Sequence, residues 1–478
     1  MHSKGRQLAD AFAQGRLSRR ELIGGLAALG VTTAAADMIV NAALTRAMAA
    51  DFDWKKHSGR TVNLLLNKHP YTDAMVANIA NFKALTGMDV KYDVFPEDVY
   101  FDKVTSALSS RSTQYDVFMT GAYQTWQYGP AGWLADLNEF IRNPAVTAPG
   151  YNWDDLLPNL RAATAWSGVP GAALGGQGAK QWALPWGFEL NSVAYNKRVF
   201  DTLKLDAPKN LADLREKAAR IAKDGGGMYG IGVRGSRSWA TIHPGYLSGF
   251  TSFGAKDFEI AGGKLKAAMN SREAKAFTRE WVAMIQESGP RNWSTYTWYE
   301  VGNDLSAGAS GMIYDADILG YFMNGTGKEK GNIAFTAFTP NPQASAPTPN
   351  VWIWSLGLSN FSRQKEAAWT FMQWASGTDH ALFGARTMDF INPVRASVWK
   401  DEAFRKRLAD NYPGYLQQYE ASAPGSKIYF TPQPLFFNLT TDWAASLQKM
   451  VAKEVPVDEG LDRLAEGIDA QLKRAGLL

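Results

Sequence analysis

Between Thr61 and Met119 the apolar residues switch repeatedly between two periods, and this alternation constrains the fold more than any other feature of the chain. Thr61 to Leu66 is a short apolar run with the length of a strand. Met75, Val76, Ile79, Phe82 and Leu85 then recur at helical spacing, and Gly87 ends that helix. Val90, Tyr92 and Val94 alternate as a strand, Tyr100, Val104 and Leu108 return to helical spacing, and Tyr115 to Met119 is a third strand. The order β-α-β-α-β predicts a parallel sheet flanked by helices. Ligands of such sheets sit outside the carboxyl ends of the strands. Here those ends are Asn67-Lys68-His69 and Thr120-Gly121-Ala122-Tyr123.

A chain of 478 residues exceeds one comfortable core, so two or more domains are expected. It has no Cys, which excludes disulfides, thiolate catalysis and a lipid-modified N-terminal Cys. Most of its formal net charge of +4 sits in the first fifty residues, where Lys4, Arg6, Arg16, Arg19, Arg20 and Arg46 outnumber Asp10, Glu21 and Asp37. The nearly neutral remainder carries no electrostatic footprint for nucleic acid. Ser18-Arg19-Arg20-Glu21-Leu22-Ile23, the small-residue run to Ala36 and Ala47-Met48-Ala49 before Asp51 read as an address with an A-x-A cleavage site. This segment resembles a twin-arginine export signal. The run is short and broken by Asp37, and no later stretch is long and apolar enough to span a membrane. The mature chain is therefore expected to be soluble and periplasmic.

The middle of the chain turns on Gln181 to Phe200. Pro185 and Gly187 bend the backbone beside Trp186 and Phe188, Leu190, Val193 and Tyr195 suggest a strand, and Asn196-Lys197 the turn after it. Beyond it, Asn210 can cap a helix carrying Leu211, Leu214, Ala218 and Ile221, and Ser271 to Glu287 is a second helix candidate. Gly308 to Tyr314 and Val351 to Leu358 read as strands, Pro340 to Pro349 as an exposed connector, and Gln364 to Ala375 as an amphipathic helix.

Several of these stretches are similar to the family 1 extracellular solute-binding proteins, the carbohydrate-binding, maltose-binding-protein-like components of ABC importers. Leu184-Pro185-Trp186 with Tyr195-Asn196-Lys197 resembles that family's crossing between lobes. Thr86-Gly87, Tyr115-Asp116-Val117, Gly132-Trp133-Leu134, Gly311-Met312, Glu366-Ala367-Ala368-Trp369 and Asn392-Pro393-Val394-Arg395 follow in the family's order. Each motif is loose; their order and spacing together are specific.

Other chemistry is poorly supported. Gly230-x-Gly232-x-x-Gly235 matches a dinucleotide fingerprint, but Gly225-Gly226-Gly227 precedes it instead of a long apolar strand. There is no phosphate-binding G-x-x-x-x-G-K-[ST] and no G-x-S-x-G elbow, and the five His are scattered. Asp315 and Asp317 share a strand face by period two and could orient a ligand hydroxyl or bind a cation, but a solvated strand end is the favoured explanation.

Sugars present apolar C–H faces and hydroxyl edges, so a site needs rings beneath the faces and planar charged groups at the edges. Rings near the expected crossings and strand ends are Tyr123, Trp186, Trp239, Trp298, Trp352 and Trp354; edge groups are Lys68, His69, Glu97, Arg237, Asp315 and Arg395. Any one Trp could serve the core as readily as a cleft.

The resemblance implies an α/β fold of two lobes, the type II periplasmic-binding-protein fold, each lobe a mixed, mostly parallel sheet flanked by helices. The expected division is a signal peptide at 1–50, lobe one at 51–187 plus 356–390, and lobe two at 188–355 plus 391–478. It implies a monomeric binding component, not an enzyme, without cofactor or metal. That component takes a sugar, oligosaccharide or sugar alcohol between its lobes and delivers it to an ABC permease. Two alternatives stay open: an exported glycosidase or lyase using the same cleft, and the same fold with a non-sugar ligand.

Overall fold

The computed structural model describes residues 52–318 and 327–478 and, before them, residues 4–5, 7–8, 11, 17, 19–29 and 31. Helix Arg19–Ala28 begins at the arginine pair. Most of the remaining expected signal, including Ala47-Met48-Ala49, lies outside the described residues. No helix among the described residues is long and apolar enough to cross a membrane.

Eight strands form the main sheet: β1 (Thr61–Asn67), β2 (Asp89–Phe95), β3 (Val117–Gly121), β4 (Leu184–Asn196), β5 (Tyr229–Gly232), β6 (Ser310–Ala316), β7 (Ile333–Thr336) and β8 (Val351–Leu358). Their order is β2-β1-β3-β8-β4-β6-β5, with β7 also on β4. β1 pairs in parallel with β2 and β3, as the alternating periods require, and β5 in parallel with β6. β8 runs antiparallel to both β3 and β4, which makes the sheet mixed.

The thirteen-residue β4 joins the two ends of this sheet. Its residues 184–190 pair with β8, and its residues 191–196 pair with β6 and β7. A third segment lies beside them, through bridges from Pro393 to Gly187 and from Arg395 to Leu156. β8 is buried throughout and reads as a nearly continuous apolar run, whereas β4, buried everywhere except Tyr195, also buries Glu189, Asn191, Ser192 and Asn196. Gly187 is required by close approach: a Cβ there would sit 2.0 Å from the Tyr71 ring, whose hydroxyl donates to Phe188 O at 3.0 Å.

Helices cover the sheet. α1 (Pro70–Thr86) and α2 (Glu97–Ser109) follow β1 and β2. α3 (Leu211–Asp224) is capped by Asn210 and α4 (Arg272–Ser288) by Ser271; α3 packs on α4 and β5. α5 (Trp298–Ala307) starts at a capping box between Thr297 and Glu300. α6 (Lys365–Ala375) packs against α1, β1 and β8. Near the C-terminus, α7 (Phe436–Val451) and α8 (Val457–Arg474) pack on each other and on α4. The segment from Pro340 to Pro349 has no regular structure; it is partly exposed but ends in buried residues.

Candidate functional site

One cavity of about 240 Å³ lies where the carboxyl ends of β1, β2, β5 and β6 converge over the middle of β4 and β8. From the β1 side come Lys68, His69, Pro70 and Asp73, and from the start of α2 comes Glu97. From the opposite side come Arg234 and His243 beyond β5, Trp239 in a 3₁₀ turn, Trp298, Tyr299 and Asn303 on α5, and Ile318 after β6. Glu189 of β4 and Trp352 and Trp354 of β8 form the floor.

The floor is organised by Glu189. Its Oε1 accepts the Trp354 indole N–H at 2.9 Å and lies 3.5 Å from His69 Nε2. His69 caps α1, its Nδ1 accepting the Tyr71 amide N–H at 3.4 Å, so Nε2 carries the proton that faces Glu189. Trp352 and Trp354, two apart on one strand face, hold their rings 5.1 Å apart and nearly perpendicular. Trp352 comes within 5.4 Å of Trp239, and Trp239 stacks on His243 at 5.8 Å. A Cβ on Gly121, at the end of β3, would lie 2.0 Å from the Trp352 ring; only glycine leaves that ring its place.

Charge is concentrated and mostly buried. Arg234 forks onto Asp315 at 2.7 and 2.9 Å and donates to His243 Nε2 at 3.2 Å. Burial and the Arg234 guanidinium hold the His243 imidazole well below its ordinary range, so it is neutral at neutral pH. Glu97 is pushed up to about 7, by burial first and then by the Glu189 and Asp315 carboxylates, against the pull of the Arg234 guanidinium. Lys68 at the rim is paired with Asp73 at 2.6 and 2.8 Å. Ring faces against a few hydrogen-bonding edges are what a small polyhydroxylated molecule needs. The volume lies below the ~300–1,000 Å³ usual for larger ligands.

Of the residues singled out from the sequence, Lys68, His69, Glu97, Trp239, Trp298, Trp352 and Trp354 meet at this cavity. Two others stand one layer behind. Tyr123 is fully buried against Trp239 and Trp352, its hydroxyl accepting from Asn350 at 2.9 Å. Asp315 is buried as the clamp on Arg234, not solvated at a strand end, and Asp317 beside it is buried too.

Three expectations are corrected. Trp186 is a core residue, 1% exposed, its indole N–H donating to Ala375 O at 2.9 Å and its ring near Tyr71, because α1 and α6 cover that face of β4. Arg395 is fully buried and binds carbonyl oxygens of Tyr151, Asn152 and Ser376 as well as Asp155, so its donors serve the chain itself. Arg237 is exposed and opens onto a separate groove with Asp442 and Lys449. Glu189, Arg234, His243 and Asp73 also line the cavity and are not singled out by the sequence. Arg234 follows β5 by two residues and obeys the same strand-end rule that found Lys68, but β5 is four residues long and gives no legible period.

The sequence profile of the bacterial extracellular solute-binding proteins matches residues 68–381. An erythritol/L-threitol-binding protein of Mycolicibacterium smegmatis is 40% identical over 400 residues, covering 83% of each chain. A mannitol-binding protein of Pseudomonas aeruginosa is 24% identical over 81% of this chain and 87% of its own. Among solved structures, an ABC-transporter solute-binding protein of Agrobacterium vitis with bound D-mannitol superposes with a TM-score of 0.72 at 24% identity, over 87% of this chain and 99% of its own. One of Agrobacterium radiobacter in complex with ribitol gives 0.72 at 19% identity, over 86% and 98%. Both share this two-lobed α/β fold.

Proposed function

This chain belongs to the bacterial extracellular solute-binding protein family, and from that premise we propose that it captures a short sugar alcohol, a four-carbon polyol first of all, and presents it to an ABC permease. The observation that carries the reading is the cavity: three indole rings and a fourth at Trp298, with Glu97, Glu189, Arg234 and His69 between them, in about 240 Å³. Ring faces take the C–H side of a carbon chain, and the polar groups take its hydroxyls. The size favours a tetritol over an oligosaccharide, and the most similar relative described above binds tetritols.

The family consists of binding proteins, and the reading asks for no covalent chemistry. The two lobes divide at β4, β8 and the segment around Pro393, with 51–187 plus 356–390 on one side and 188–355 plus 391–478 on the other. Binding favours the closed arrangement because only there do both lobes touch the ligand. The chain acts as a periplasmic monomer, exported by a twin-arginine signal within residues 1–50.

A thermal-shift panel of erythritol, L-threitol, ribitol, D-mannitol and maltose tests the ligand class. A ligand that binds only the native state raises the melting temperature, by about 2.7 kcal/mol of stability at a hundredfold excess over Kd. The tetritols should give the largest shift; a response to maltose alone rejects the small-polyol reading.

A further inference from the structure

Glu97 and Phe101 are four residues apart on α2 and therefore share one face of that helix. Glu97 lines the cavity and Phe101 does not. The half-buried Phe101 ring instead lies parallel to Trp354, with centroids 6.0 Å apart and planes inclined by 6°. The same ring meets Trp239 edge to face, at 6.1 Å and 80°. These two partners belong to different parts of the fold. Trp354 is on β8, beside β4 in the middle of the sheet, whereas Trp239 lies in the turn beyond β5 at the far side of the cavity. Phe101 thus links the β1–β3 end of the molecule to the opposite cavity wall through its ring contacts.

We infer that Phe101 is a positioning residue for ligand retention, a latch between the lobes that holds the cavity shut by packing on Trp239 and Trp354 without touching the polyol. This rests on the reading of the cavity as a polyol site. Opening between the β1–β3 end and the turn beyond β5 breaks the contact with Trp239 in this proposal, so its energy favours the closed arrangement. Two geometrically good aromatic pairs are enough to matter for a small ligand, whose own contacts are few. Losing them acts on escape of the ligand and leaves encounter alone.

The test is stopped-flow tryptophan fluorescence on the wild-type protein, Phe101→Ala and Phe101→Tyr, with erythritol, L-threitol and ribitol. Phe101→Ala should raise the dissociation rate about tenfold, equivalent to about 1.4 kcal/mol. The association rate and the rank order of the three polyols should stay as in the wild type, and the ligand-free melting temperature should fall less than the liganded one. Phe101→Tyr keeps the ring and should restore slow dissociation. An unchanged dissociation rate in Phe101→Ala overturns the latch. So does a changed rank order, which would mean that Phe101 acts by shaping Trp354 against the ligand, or a ligand-free melting temperature that falls as much as the liganded one. If the wild-type protein binds none of the polyols, the underlying ligand assignment fails, and the latch with it.

Discussion

Replacing Asp317 with Asn would expose a neutral acid beneath the cavity. Asp317 is buried; its Oδ1 accepts the Leu190 amide N–H at 3.1 Å and the Asn392 side-chain N–H at 2.9 Å. Its Oδ2 lies 3.1 Å from the Tyr415 hydroxyl, which is also 2.6 Å from Asn392 Oδ1. A phenol has one proton to give, and the shorter contact takes it. The longer contact is then made by the carboxyl's own proton. Burial first, and then the Glu189 carboxylate, push Asp317 from 3.8 up to about 8, which agrees. The unfolded carboxyl ionises above about pH 4, while the native one stays protonated to about pH 8. Its stabilising contribution is therefore complete at acid pH and is lost as pH rises through that window. Each pH unit there is worth about 1.4 kcal/mol, which sets a ceiling of roughly 5 kcal/mol. Asparagine keeps the shape, the acceptor for Leu190 and a donor for Tyr415, but cannot ionise. In urea unfolding of the ligand-free protein, Asp317→Asn should gain about 2–4 kcal/mol on the wild type between pH 5 and pH 8. Shifts from Glu97 occur in both proteins and cancel in the difference. A difference that stays flat with pH would refute a protonated Asp317.

Three further outcomes follow from the geometry. Trp186→Ala should cost about 3–5 kcal/mol of stability while polyol affinity of the folded protein changes less than about threefold, because the ring is core; paired melting and titration experiments separate the two effects. Arg234→Met leaves Asp315 as a lone buried charge and should cost about 3–5 kcal/mol, whereas Arg234→Met with Asp315→Leu should recover most of the stability but not the ligand binding, as denaturation and calorimetry would read. Arg19→Lys with Arg20→Lys should trap precursor in the cytoplasm; an unchanged periplasmic yield on fractionation refutes the twin-arginine assignment.

The elements were legible in the sequence wherever one period persisted long enough. Met75, Ile79 and Phe82 mark α1, Val90, Tyr92 and Val94 mark β2, and Asn210 and Ser271 announce the helices they cap. The cavity was legible through the strand-end rule, which picks out Lys68, His69 and Glu97. It failed where burial depends on distant chain. Trp186 follows a proline at a bend and looks stranded between lobes, yet Tyr71 and Ala375 close over it. Arg395 looks like a ligand clamp, but the carbonyls that satisfy it come from residues 151, 152 and 376. The face of Asp315 was readable from its period, while its burial depends on Arg234, eighty-one residues earlier. Glu189 sits in mid-strand, where a carboxylate makes sense only once Trp354 and His69 are seen around it.

The account stands most directly on calorimetric titration of the mature protein with erythritol and L-threitol. A single-site isotherm with micromolar or tighter Kd, about −8 kcal/mol or more, and polyol recovered unchanged afterwards, is the predicted result. No measurable heat with either tetritol at any temperature tried, or conversion of the polyol during the titration, would contradict it.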